Sequence, residues 1–496
     1  VASAAAPLTH RGRFADPVAA FLGGVAAVAG SYAAVGLTPA FVAAPVSALV
    51  VAYTPDAVVT FAILVLGDVG DLLGFALALV LTAVAFGLAA LSGLRTGRVL
   101  ERPVVGGLLG GVVAWLLALL LTGQVLAGLA AALPLSVVVW VAGRPRREPT
   151  AVDPSRRRLL KLAAGVAVFG GVSALVGARV GDESTSDSGG AVSQPVQQRL
   201  DAAQADSLDL AGIPGLVSET GSFYRVDINA VDPTVAVDDW TLSVTGAVDA
   251  EQTFTYEDVT GMEPTYVFKT LRCVGESLNG HKMDNALWTG VPVVDLVESA
   301  GGSLPDECCV VLHAADGYYE EFPLSALRDA VLAYEMNGET LPRAHGYPVR
   351  ALVPGHWGEI NVKWITEIEV TKAESTGYWE KRGWHGTGPV NTVAKFHAIN
   401  HLDGGRVQVG GHAYAGTRGI DRVEVSVDGG QTWTEATLSK PLPDPDTWRQ
   451  WAYEFEPSGS HEVVVRAVDG EGDVQPRDEA DAFPNGPSGW VSRMVR

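Results

Sequence analysis

Residues 267–291 read VFKTLRCVGESLNGHKMDNALWTGV, and the rest of the chain is read outward from them. An apolar and aromatic run leads into a single cysteine, Cys273. A loop of small and polar residues follows, and then Trp288-Thr289-Gly290. A thiolate at the end of a strand, with an open loop beyond it, offers one soft ligand to a metal and leaves space for a substrate. One cysteine does not make a site, so the remainder of the chain has to supply it.

Charge divides the 496 residues. Residues 1–161 hold 12 Lys/Arg and 7 Asp/Glu, a balance of +5, whereas the following residues hold 23 and 49, a balance of −26. Only eight lysines occur. An acid-rich, lysine-poor body suits a protein kept soluble in high salt, so a halophilic source is expected. No basic stripe remains to neutralise phosphates, which excludes nucleic acid as a partner. Cys273, Cys308 and Cys309 cannot build a disulfide framework, and there is no CxxC or CxxCH. The pair Cys308-Cys309 precedes Val310-Val311-Leu312 and is expected to be buried in a strand.

About 20 apolar residues cross a bilayer. Five stretches qualify, near 17–37, 71–94, 103–122, 124–143 and 159–180. Residues 40–67 are interrupted by Pro45, Pro55 and Asp56 and read as a loop with a short interfacial helix, a sixth span being the alternative. Three arginine clusters decide orientation: Arg11 with Arg13; Arg95, Arg98 and Arg102; and Arg144, Arg146, Arg147 with Arg156–Arg158. With five spans all three fall on the cytoplasmic side, and the acidic body lies outside. The last span opens with Ser155-Arg156-Arg157-Arg158-Leu159-Leu160-Lys161, which resembles a twin-arginine export signal; an ordinary positive-inside cluster is the alternative. No histidine occurs between His10 and His281, so the spans cannot hold a haem through histidine pairs.

The expected organisation is a transmembrane helical anchor over 1–180, a flexible linker over 181–205, a mixed α+β catalytic domain over 206–389 and a β-sandwich over 390–496. Within the third part, Trp240 to Gly246 and Cys309 to Ala314 read as strands. Tyr256 to Val259 reads as a short turn or helix, and Val291 to Ala300 and Leu324 to Leu332 read as helical. His345, Arg350 and Lys363 cluster in a Gly- and Pro-rich segment suited to a phosphate or other anion. After 390, strands such as Val423–Val427 and His461–Arg466 alternate at period two around Asp-Gly turns. Trp448 and Trp451 are expected in the core or at an interface.

Leu271-Arg272-Cys273-Val274-Gly275, Trp288-Thr289-Gly290, Met336-Asn337-Gly338-Glu339, His345-Gly346-Tyr347-Pro348-Val349-Arg350, Val353-Pro354-Gly355 and Val362-Lys363-Trp364 occur in this order. Together, from about residue 210 onward, they resemble the sulfite oxidase family of molybdopterin enzymes, in its prokaryotic membrane-anchored form. The resemblance implies a molybdenum–molybdopterin cofactor with Cys273 as the thiolate ligand of the metal. It implies that Tyr224, Arg225, Asp316, His345, Arg350, Asn361 and Lys363 contact the cofactor. It further implies a C-terminal immunoglobulin-like dimerisation domain and hence a homodimer.

Two departures bear on the substrate. Glu276-Ser277-Leu278 stands where oxyanion-binding arginines are expected, and Glu276 would repel sulfite. Trp384, in Arg382-Gly383-Trp384-His385-Gly386, stands where the family has a catalytic tyrosine, and an indole cannot act as a phenolic acid or base. His281, Trp288 and His385 complete the candidate pocket. The expectation is two-electron oxygen-atom transfer on a small molecule other than sulfite, with an external electron carrier. Sulfite oxidation proper, and a cofactor-free binding or assembly module, are the alternatives.

Overall fold

Residues 15–144, 154–183, 192–301 and 308–496 are described by the computed structural model. The arginines expected at 11, 13, 146 and 147 fall outside these residues. The chain forms two compact units, residues 1–187 with 227–234, and residues 188–226 with 235–496.

The first unit is helical because its sequence is almost continuously apolar. It contains α1 (Ala15–Val35), α2 (Ala44–Tyr53), α3 (Asp56–Phe61), α4 (Asp68–Val99), α5 (Pro103–Thr122), α6 (Val125–Gly143) and α7 (Pro154–Glu183). Helices α1, α4, α5, α6 and α7 are long and apolar enough to cross a membrane. On α5 the buried face is Gly106, Gly107, Gly110, Gly111, Ala114 and Ala118, a small-residue stripe that lets backbones approach. Large apolar side chains point outward instead: Leu88, Leu108, Leu120, Leu133 and Leu175 are 63–84% exposed. A bundle apolar inside and out is built for an apolar surround. Residues 40–67 are more helical than expected, since Ala44–Tyr53 and Asp56–Leu66 form a pair bent by 105°.

The second unit begins with α8 (Gln194–Asp206), inside the segment expected to be a flexible spacer. Val196 and Ala203, seven residues apart on one helical face, are both buried, which explains the order. Two sheets follow, the first mixed and the second antiparallel throughout. One has the order β2 (Gln252–Thr255), β1 (Thr241–Gly246), β10 (Ile365–Thr371), β5 (Cys309–Ala314), β6 (Tyr319–Pro323). Its β1–β10 pair is parallel. The other runs β3 (Thr265–Arg272), β4 (Met283–Pro292), β7 (Val331–Met336), β8 (Glu339–Thr340), with β9 (Arg350–Leu352) also on β7. Short helices α9 (Tyr256–Thr260) and α10 (Val293–Ser299) pack at the sheet ends. Between the sheets, Leu242, Val291, Leu312, Leu332, Val353 and Ile368 form a single core.

Two details correct the sequence reading. Only Leu324–Asp329 is helical, as a 3-10 turn, because Val331 enters strand β7. Cys308 is exposed and precedes the strand, while Cys309 is buried in it, and the two are joined as a vicinal disulfide.

The C-terminal part is a sandwich of two four-stranded sheets. One is β11 (Val393–His401), β12 (Val407–Tyr414), β16 (Arg449–Phe455), β15 (Thr437–Leu438); the other is β14 (Thr434–Glu435), β13 (Ile420–Ser426), β17 (His461–Asp469), β18 (Val491–Val495). Val409, Val423, Trp451, Val463 and Val465 alternate inward to make its core. A loop of the sandwich is locked onto β3: Asp446 accepts from Lys269 Nζ at 2.5 Å, and Trp448 donates from its backbone to Thr270. Both Trp448 and Trp451 are fully buried.

Candidate active site

Strands β3 and β4 present Cys273. The last register pair of this hairpin is Arg272 with Met283, and Cys273 starts the loop between them. Its N–H donates to Lys282 O at 2.9 Å, closing the loop's base. The free thiol is pushed up to about 11, first by burial and then by the charges of Glu276 and Glu359, with Lys282 and the Gly275 N–H opposing. A cation at the sulfur would reverse this and hold it as thiolate.

Glu276 does not confront the pocket with a bare charge, contrary to the sequence expectation. It is 3% exposed, and its Oε1 accepts from Arg272 Nε at 2.8 Å and Lys395 Nζ at 2.5 Å. Its Oε2 accepts from the Lys282 N–H at 3.1 Å. Two cations compensate one carboxylate, so the repulsion argument fails. The carboxylate braces the loop that carries Cys273.

A second group concentrates positive charge. His345 is held down to about 3, by burial and then by Arg350, Lys363 and Arg225, so these four groups share one electrostatic neighbourhood. Tyr224 ties this neighbourhood to the cysteine. It is raised well above the usual phenol value by burial and by Cys273, against the lowering influence of Arg350. Phe223 stacks on Tyr224 and meets His345 edge-on at 5.4 Å. Arg350 is oriented by the carbonyls of His345 at 3.1 Å and Asn361 at 2.9 Å, and its guanidinium lies over Trp288. Lys363 Nζ donates to Ala344 O at 3.1 Å. A side chain at Gly346 (φ +115°) would strike Arg350 and Lys363, so glycine keeps this turn tight.

Other expected residues take different positions. The side chain of Asn361 is committed to its own loop, accepting from the Val353 N–H and donating to Trp357 O. Asp316 caps the β5–β6 turn by accepting from the Tyr318 N–H, and the adjacent Ala315 N–H donates to Trp364 O, which places that turn beside Lys363. Trp288 is a core residue with its indole N–H on Lys269 O. His281 and His385 are exposed loop residues.

Trp384 is 2% exposed, with edge-on contacts to Trp379 at 6.5 Å and Phe483 at 5.2 Å. Its buried indole N–H has no partner among the described residues. Next to this segment lies a group the sequence reading missed: Glu320, Glu359 and Glu380. Tyr318 Oη is 2.9 Å from both Glu320 Oε2 and Glu359 O. Burial and then Glu380 push Glu320 up to about 11 and Glu359 far up. A signal for Glu320 existed: in Tyr319-Glu320-Glu321-Phe322, period-two alternation puts Glu320 on the same buried face as Phe322. Glu359 and Glu380 lie in short 3-10 turns, where no periodicity marks burial.

A thiol on one side and Arg225, His345, Arg350 and Lys363 on the other form a donor set suited to a metal attached to an anionic, phosphate-bearing group. Residues 229–379 match the oxidoreductase molybdopterin binding domain, and residues 390–483 match the Mo-co oxidoreductase dimerisation domain. Relatives include mitochondrial sulfite oxidase of Mus musculus, 33% identical over 39% of this chain and 42% of the relative. Sulfite oxidase of Arabidopsis thaliana is 26% identical over 53% of this chain and 83% of the relative. NADH nitrate reductase of Solanum lycopersicum is 29% identical over 49% of this chain and 34% of the relative. The chain thus spans about half or less of the mouse and tomato proteins. In fold it resembles the sulfane dehydrogenase SoxCD from Paracoccus pantotrophus, with a TM-score of 0.50 at 22% identity, over 57% of this chain and 82% of that one. The cofactor implied by this domain pair is molybdenum–molybdopterin. The chain belongs to the sulfite oxidase family of molybdopterin-dependent oxidoreductases.

Proposed function

We propose that this chain is a membrane-anchored enzyme that moves an oxygen atom and two electrons between water and a small substrate, with Cys273 as protein ligand of the metal. The carrying observation is the link from the Cys273 thiol through Tyr224 to the Arg350, Lys363, Arg225 and His345 group. When bound, the molybdenum–pterin group supplies two-electron oxygen-atom exchange. Cys273 would hold the metal, and Arg225, His345, Arg350 and Lys363 would hold the phosphate end. Asp316 and Asn361 would act through the loops they fix. Trp384 would shape the substrate side and offer an indole N–H as donor.

The preferred substrate is not sulfite, because Trp384 is a donor only and cannot exchange a proton as a phenol does. A second reading, sulfite oxidation proper, is favoured by one observation, the compensation of Glu276 by Arg272 and Lys395. Five apolar helices support the anchor. The ion pair of Arg98 with Asp16 brings the start of α1 and the end of α4 to one end of the bundle, where the positive-inside pattern puts the cytoplasm. On that topology the second unit is extracytoplasmic, and the dimerisation domain pairs two copies.

Molybdenum and pterin analysis of the purified chain tests the assignment. The wild type should hold both, and Cys273→Ser should lose the metal. Apo protein from a cofactor-competent host overturns the proposal. Turnover of sulfite, sulfoxides and N-oxides with an artificial electron carrier then separates the two substrate readings.

A further inference from the structure

The helical unit contains a cavity of 510 Å³ that the chemistry above does not use. Phe21 and Tyr32 of α1, Phe41 of the following loop, Phe75 of α4 and Ser173 of α7 line it. Its volume lies within the roughly 300–1,000 Å³ typical of small-molecule sites.

Ser173 makes this cavity unusual. Hydroxyls inside apolar helices ordinarily return to a carbonyl one turn back. Thr82, Thr122 and Ser136 all do so here, at 2.7–2.9 Å. Ser173 does not: it is 2% exposed, and its Oγ has no partner among the described residues. Tyr32 lies one helical turn along α7 from it, because a side chain at Gly177 would fall 2.4 Å from the Tyr32 ring. Tyr32 also meets Phe41 edge-on at 5.6 Å. The cavity therefore joins aromatic walls to a buried hydroxyl seeking an acceptor. An acyl chain offers no acceptor at that depth. A planar ring with carbonyl oxygens and an apolar tail satisfies walls and hydroxyl together.

We infer that this cavity binds the head group of a membrane quinone, with Ser173 donating to a ring carbonyl and Tyr32 beside it. This rests on the proposed reaction, whose balance it completes. Transfer of water's oxygen to a substrate X releases two protons and two electrons, and a quinone takes up two of each: X + H2O + quinone → XO + quinol. The cavity runs along the middle and later part of α1, the first half of α4 and the later part of α7, so it lies toward one end of the bundle. That is the end opposite the Arg98–Asp16 pair, the extracytoplasmic end in the proposed topology.

The test uses the full chain in nanodiscs of synthetic phospholipid. Photolysis with an azido-quinone should label peptides carrying Tyr32 or Ser173, and excess decylubiquinone should suppress the label. Ser173→Ala should weaken competition by decylubiquinone about five- to tenfold, the loss of one hydrogen bond. Ala29→Phe, which fills the cavity, should abolish labelling. Labelling indifferent to both substitutions, or suppressed equally by a fatty acid of matching length, overturns the quinone site. Dye-linked turnover should be unchanged in Ser173→Ala while decylubiquinone reduction falls. Failure of dye-linked turnover in the wild type would overturn the proposed reaction alone, since the labelling result stands without it.

Discussion

Lys395 Nζ lies 2.5 Å from Glu276 Oε1, and this buried pair fastens the first strand of the C-terminal sandwich to the loop that carries Cys273. Both side chains are 1% exposed. Burial lowers the Lys395 ammonium to about 8, with Glu276 pulling it back up. Removing one member of a buried pair leaves the other poorly compensated. Lys395→Ala should therefore cost about 3 kcal/mol, less than a lone pair would at the upper end because Arg272 remains on Glu276. Urea unfolding of the apo chain measures this. Molybdenum content should fall in parallel, because the loop loses its brace.

The cationic group should act on cofactor retention more than on folding. Lys363 is half-buried, and its ammonium donates to Ala344 O at 3.1 Å. Lys363→Met keeps an apolar stem of similar length and removes the charge, with its place over the Trp364 ring. The expected result is a roughly tenfold lower cofactor affinity, the worth of one charged hydrogen bond to phosphate. The unfolding midpoint of the apo chain should move by no more than a degree or two. A large drop in that midpoint with normal cofactor content would make Lys363 a structural residue.

The contrast between Cys273 and Glu276 explains how much of this was legible in the sequence. Strands such as β1, β5, β13 and β17 followed from period, and Cys273 at the end of β3 followed from an apolar run broken by Gly and Asn, whereas Leu324–Leu332 read as helical and yields to β7 at Val331. Charge compensation did not follow. Lys395 is 119 residues from Glu276, and nothing local marks a lysine as a partner for a distant carboxylate. The same applies to Asp446 with Lys269, 177 residues apart. Helix α8 was missed for a different reason: its composition is polar, and only Val196 and Ala203 on one face reveal that it packs. Where function depends on which charges meet across domains, the spacing of residues along the chain is silent.

Glu320 gives a pH dependence with a defined sign. Its carboxyl is pushed from the ordinary 4.5 up to about 11, mainly by burial and by Glu380. Between those values the folded chain retains a proton that the unfolded chain has released, so stability falls as pH rises through that window. Glu320→Gln keeps the shape and cannot titrate. At pH 4 its unfolding midpoint should match the wild type. At pH 9 its unfolding free energy should exceed that of the wild type by about 1–3 kcal/mol, with a correspondingly higher midpoint, part of the cost of burying a carboxyl that water would ionise. Equal midpoints at pH 9 would mean that the folded chain holds Glu320 ionised.

Trp384 separates a substrate contact from a packing role. Its indole N–H is buried without a partner among the described residues, which costs the fold about 1–3 kcal/mol unless something accepts it. Trp384→Phe removes that donor and retains the edge-on contacts with Trp379 and Phe483. If the N–H serves only packing, folding stability should stay level or rise and KM should not change. The expected outcome is different. Apo stability stays level or rises slightly, while KM in the artificial-carrier assay rises roughly tenfold, the loss of one hydrogen bond to substrate. Trp384→Tyr is the companion variant. It places a phenol where the family has one, and sulfite turnover should rise with a new dependence on a group titrating above neutral pH. A Trp384→Phe chain with unaltered KM would remove Trp384 from the substrate side.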